Sequence, residues 1–109
     1  MSDLYPRFLQ WGKFTSRDEK NPDVIQCKVH DEDTFETEYG ICINVKIQNE
    51  IKAINLYSFG SANRSLLTQW NDAKQQGKIK QGRDFKILTW MGISTRNKDR
   101  EIRRFKLVF

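Results

Sequence analysis

The stretch YGICINVKI-QNE-IKAINLYS, residues 39–58, decides how this chain folds. Ile41, Ile43, Val45 and Ile47 alternate with Gly40, Cys42, Asn44 and Lys46. In the second half, Ile54 and Leu56 alternate with Ala53, Asn55 and Tyr57. Successive side chains of a strand point to opposite faces, so an apolar residue at every second position describes a half-buried antiparallel strand. Gln48-Asn49-Glu50 is short enough to join the two runs as a hairpin, and Asn49 tolerates the backbone conformation of a tight turn.

Upstream, Val24 to His30 sets Ile25, Cys27 and Val29 against Gln26, Lys28 and His30, a first strand of the same kind. Downstream the period changes. Between Ser61 and Gly77, Leu66, Leu67, Trp70 and Ala73 share one helical face. Ser61, Asn63 and Ser65 are capping candidates and Gly77 is a terminator. Period two then returns twice. Phe85 to Trp90 turns Phe85 and Ile87 inward and Lys86, Leu88 and Trp90 outward. Ile102 to Phe109 turns Phe105, Leu107 and Phe109 inward and Arg104, Lys106 and Val108 outward. Three strands, one helix and two more strands is the order of an OB-fold, an all-β five-stranded Greek-key barrel with a helix between strands 3 and 4. The helix is expected to plug the bottom of the barrel with Trp70 in the core.

The barrel is expected over residues 23–109, preceded by a leader, residues 1–22. In the leader Leu4, Phe8 and Trp11 share helical spacing, Pro6 suits a first helical turn and Gly12 an end. Residues 15–22, TSRDEKNP, read as a loop. Two roles are open to the leader: packing Phe8 and Trp11 on an open end of the barrel, or extending a binding surface with Arg7, Trp11, Lys13 and Phe14.

A chain of 109 residues is long enough for one domain with one core. Three Trp, three Tyr and seven Phe argue against disorder. No apolar run is long enough to span a bilayer, and MSDLYPRF lacks the regions of a secretory signal, so a cytoplasmic location and no membrane partner are expected. The two cysteines, Cys27 and Cys42, have no metal-ligand spacing and there is one histidine, His30. The cysteines read as reduced thiols packed as small hydrophobes, although both fall in strands and could be neighbours across a ladder.

Chemistry is sparse. One histidine beside acids at a strand end makes no convincing nucleophile–base site. Residues 31–38 carry Asp31, Glu32, Asp33, Glu36 and Glu38 with no Lys or Arg, yet their spacing does not match an EF-hand and they read as a solvated loop. No glycine-rich phosphate loop is present. No enzyme activity, cofactor or metal is expected. The net charge is +5, and residues 83–106 are rich in Lys and Arg, which suggests a side that faces a polyanion. On the proposed barrel the outward residues of strands two and three are Asn44, Lys46, Lys52, Asn55 and Tyr57. Lys86 and Trp90 follow on strand four, and the loop between strands four and five adds Arg96, Lys98 and Arg100. Cations neutralise phosphates and aromatic faces stack on bases, so this mixture suits single-stranded DNA or RNA. The alternative is an interaction module that docks a protein partner or closes a homo-oligomer.

The leader YPRFLQW, the segment ETEYGICINVKI, the strand KAINLYS before a helix with SLLTQW, and GRDFKILTW followed by a basic loop and REIRRFKLV together resemble small OB-fold single-stranded-DNA-binding proteins of archaeal or phage type. The resemblance implies sequence-tolerant binding in DNA replication or repair, with strand three and the four-five loop as contact surface. It implies candidate contacts at Tyr57, Trp90, Lys46 and Arg104. The acidic loop departs from the pattern.

Overall fold

The computed structural model describes residues 7–38, 40–58, 65–93 and 101–109. Its elements are β1 (Arg7–Phe8), a 3-10 turn (Trp11–Lys13), β2 (Asp23–Val29), β3 (Phe35–Thr37), β4 (Gly40–Ile47), β5 (Glu50–Asn55), α1 (Leu66–Gln75), β6 (Asp84–Ile93) and β7 (Glu101–Val108). The fold is mostly β with one helix. The sheet runs β1-β5-β4-β2-β6-β7, with β3 also paired to β4. β1 is parallel to β5 and every other pairing is antiparallel.

β2 lies between β4 and β6 in the sheet, and its two ladders are staggered along its length. Asp23 to Lys28 pair with β6, while Lys28 and Val29 pair with β4. Strands of both ladders surround a single interior. Ile25, Cys27, Val29, Ile43, Val45, Ile54, Leu56, Phe85, Ile87 and Phe105 line that interior with less than a tenth of their surface exposed. The helix closes one side. Ser65 caps it, its Oγ accepting from Thr68 N at 3.1 Å, and Leu66, Trp70 and Ala73 face the core. Trp70 is fully buried against Phe85, ring centroids 5.9 Å apart.

The all-β sheet with one helix is present, and over the described residues it is an open sheet in which closure into the expected barrel is not seen. Among the described residues no ladder joins β5 to β7. Side chains fill that seam instead. Tyr57 stacks on Phe105 at 5.8 Å, and Trp11 meets Phe105 edge-on at 5.2 Å. Gln69 of α1 satisfies the free edge of β7, donating to Phe105 O and accepting from Leu107 N, each at 2.8 Å. A strand edge left bare would expose unpaired backbone groups, and here a side-chain amide takes the place of a neighbouring strand.

Three local features are also defined. Phe8 lies in a short strand on the edge of β5, with Leu9 N donating to Ala53 O at 3.0 Å, so of the helix and the added strand that the leader's sequence leaves open the strand is the one formed there. The acidic stretch is not all loop, since Phe35–Thr37 pairs with β4. Cys27 and Cys42 are both free and buried, but alternation puts Cys27 with Ile25 and Val29 in the core and Cys42 with Asn44 on the opposite face. Burial pushes the Cys27 thiol up to about 12, which keeps it protonated and unreactive. Among the described residues no helix is long and apolar enough to cross a membrane.

Candidate nucleic-acid interface

Strand registers place the outward side chains in rows. Lys46 of β4 stands opposite Lys28 of β2, which stands opposite Asp84 of β6. In the next rows Gln26 pairs with Lys86 and Lys86 with Val108, Val24 pairs with Leu88 and Leu88 with Lys106, and Trp90 pairs with Arg104. The outer face of β2, β6 and β7, with Lys46 at its margin, thus carries five cations and a single carboxylate, Asp84, which lies 3.7 Å from Lys28 Nζ. Lys28, Lys46, Lys86 and Lys106 are exposed, and Leu88, Trp90 and Arg104 are half-buried.

At the upper end of this face lies an open groove of about 820 Å³. Trp90, Leu88, Arg104 and Lys106 line it from the sheet, and Glu19, Lys20 and Pro22 line it from the leader. Gly92 is part of the design. A Cβ there would sit 3.0 Å from Arg104 Cγ, so the glycine lets the arginine lie across the strand. The leader wall is held from several directions. Ser16 O accepts from Met91 N at 2.8 Å, Asp23 Oδ2 accepts from Ser16 N at 2.8 Å, and Ser16 Oγ donates to Asn21 O at 2.7 Å. Arg17 and Glu101 form an exposed ion pair.

The predicted residues separate into groups. Trp90 and Arg104 come together at the groove, Lys86 lies on the same face two rows away, and Lys46 lies at the far margin of that face. Asn44 is on the same sheet surface but tied down: its Nδ2 donates to Asp31 Oδ2 at 2.9 Å, while its Oδ1 is buried without a partner among the described residues. Its neighbours Cys42 and Ala53 are fully buried, so the β4–β5 part of this surface is covered rather than open. Asn55 lies beside a smaller hollow of about 500 Å³ with Phe8, Trp11 and Tyr57. Tyr57 lies beyond the end of β5, engaged with Trp11 and Phe105 in the seam. Lys52 shares the parity of Ile54, not of Asn55, and its Nζ lies 3.2 Å from Glu50. Arg96, Lys98 and Arg100 lie outside the described residues.

Residues missed by sequence reasoning complete the site. Lys106, read only as outward, lines the groove, and Lys20 and Glu19 enter it from a segment read as loop. Arg103 was counted only as charge. It points inward with Phe105, where its guanidinium donates to Thr89 Oγ1 (3.1 Å), Trp11 O (3.1 Å) and Phe14 O (2.9 Å) and lies 5.6 Å from the Trp11 ring centroid. Burial lowers its pKa from the ordinary guanidinium value, an effect opposed by the nearby Asp23 carboxylate and Tyr57. An arginine in this state is still a cation, and its donors anchor the leader rather than bind a ligand. Its parity with Phe105 and Leu107 was the available signal.

Among the described residues no cluster of His, Cys, Asp and Glu is arranged to hold a metal ion. No family model matches the chain, and the comparisons with curated proteins and with solved structures found no match.

Proposed function

We propose that this protein is a partly open OB-fold that binds single-stranded nucleic acid, DNA in preference to RNA, along the outer face of β2, β6 and β7, without catalysing a reaction. The observation that carries the reading is the groove in which Trp90 lies beside Arg104 and Lys106, continuous with Lys86, Lys28 and Lys46 across the strand registers. A half-buried indole offers a stacking surface to any base, and cations spaced along the strands track a phosphate backbone. The preferred face is displaced from the β4–β5 surface that the family resemblance implies, because Cys42, Ala53 and Asn44 are covered or engaged there. Binding is largely tolerant of sequence, as expected where stacking and phosphate contacts dominate. A cytoplasmic location and a role in replication or repair accord with this reading.

The test is fluorescence anisotropy of a labelled mixed-sequence single strand at low and high salt, with duplex as competitor. Engagement of about four phosphates gives a slope of log K against log salt of roughly −3. Trp90→Ala weakens binding by roughly 1–3 kcal/mol and Lys106→Ala reduces the salt slope. Absence of binding at low salt overturns the proposal. A second reading, a protein-docking face or homo-oligomer interface, draws on the apolar strip of Val24 (55% exposed), Leu88 and Val108 (38% exposed) on the same surface. It predicts a mass that rises with concentration and no salt-sensitive strand binding.

A further inference from the structure

The groove contains one residue at odds with a phosphate track. Glu19 lines it together with Lys20, Arg104 and Lys106, yet the Glu19 carboxylate makes no hydrogen bond or ion pair with them or with any described residue. A carboxylate facing phosphates repels them, so its presence among cations weakens a site that serves the backbone alone. The segment that carries it is fixed in place. Ser16 is bonded to Met91, Asp23 and Asn21, and Lys20 N donates to Asp18 Oδ1 at 2.9 Å, which hold the turn from Ser16 to Asp23 against β6. The turn therefore holds the Glu19 backbone at the wall of the groove that holds Trp90, and its exposed side chain is available there as an acceptor.

An ionised carboxylate accepts hydrogen bonds and donates none. It discriminates among bases by the donors on their exposed edges. Guanine presents N1–H and N2–H side by side, a fork that both carboxylate oxygens accept together. Thymine presents N3–H between two carbonyl oxygens, which a carboxylate repels. Cytosine and adenine offer an amino group without an adjacent ring N–H. We propose that Glu19 reads the edge of the base stacked on Trp90 and selects guanine at that one position of an otherwise sequence-tolerant track. This inference rests on the nucleic-acid reading above and adds a base-reading residue to it. The leader thereby contributes specificity while the sheet contributes stacking and charge.

The experiment compares labelled oligothymidylate with the same oligomer carrying one central guanine, bound to the full chain and to Glu19→Gln. A single guanine avoids strand self-association. The wild type is expected to prefer the guanine strand by roughly tenfold, in the lower part of the range for a bidentate base contact. Glu19→Gln keeps one acceptor but turns an amide N–H₂ toward the second donor. It is expected to bring the ratio close to one, with thymidylate binding tighter because a repulsive charge has left the groove. Glu19 is exposed, so an unchanged melting temperature confirms that the variant is folded. Equal wild-type affinities, or a preference that survives Glu19→Gln, overturn the base-reading role and leave the groove standing. Failure of the wild type to bind either strand at low salt overturns the nucleic-acid reading and this inference with it.

Discussion

Arg103 and Arg104 are adjacent in sequence and face opposite ways, so they separate structure from the proposed binding. Arg103 reaches two leader carbonyls and one core hydroxyl from a half-buried position. Removing it leaves three acceptors without their charged donor. Arg103→Ala is expected to lower stability by roughly 2–4 kcal/mol. Arg103→Lys recovers little, since one ammonium cannot span the same fork. Arg104 lies across Gly92 at the groove, and Arg104→Ala is expected to change stability by less than about 1 kcal/mol while weakening strand binding several-fold. Urea denaturation read beside anisotropy decides the matter, and equal stability losses for the two variants would overturn the division of labour. Alternation made half of this contrast legible. It set Arg104 and Lys106 outward, but gave no reason for an arginine on the apolar parity. That reason is a pair of backbone carbonyls some ninety positions earlier in the chain, which no local pattern contains.

At the scale of elements, what was legible was what repeats. Five strands with period-two alternation and one helix with a shared apolar face lie close to where the sequence places them, from Asp23–Val29 to Glu101–Val108. β1 and β3 were not legible, because two or three residues hold no period and both owe their pairing to a neighbouring strand. Lys52 shows the cost of reading a residue by type rather than parity: it lies one position from Ala53 and so faces away from Asn55. The β4–β5 hairpin is tighter than expected. Ile47 pairs directly with Glu50, so only Gln48 and Asn49 turn the chain, at φ of 52° and 67°. Positive φ at both central positions matches a type I′ turn, whose twist suits the flanking strands, but glutamine is a poor residue for it. Replacing Gln48-Asn49 by Asn-Gly is expected to stabilise the protein by roughly 0.5–1 kcal/mol, measured as a higher melting temperature with strand affinity unchanged. A lower melting temperature would mean that the native glutamine makes contacts worth more than the strain.

The molecule as a whole is a curved sheet with one unclosed seam, and the leader is what fills it. From Phe8 at the edge of β5 the chain passes Trp11, which packs on Tyr57 and Phe105, to Phe14 and Ser16, bonded to Arg103 and Met91, and on to Glu19, Lys20 and Pro22 at the groove. The leader therefore has two parts, an aromatic one at the seam and a later turn at the groove of the proposed binding face. Of the two roles that the sequence left open for the leader, Trp11 shows the packing one, while Glu19, Lys20 and Pro22 flank the groove of the proposed binding face. Trp11 tests the division. Its ring lies 5.2 Å from Phe105 and beneath the Arg103 guanidinium, and truncation removes both contacts and opens the seam between β5 and β7. Trp11→Ala is expected to lower stability by roughly 2–4 kcal/mol, given its half-buried position. Under conditions where the variant remains folded, strand affinity should stay within about twofold of wild type, because Trp90 and the cations of β6 and β7 are untouched. Retained stability with lost affinity would reverse the assignment, placing Trp11 and the adjoining hollow beside Asn55 in the binding track and making the sheet face around Trp90 secondary.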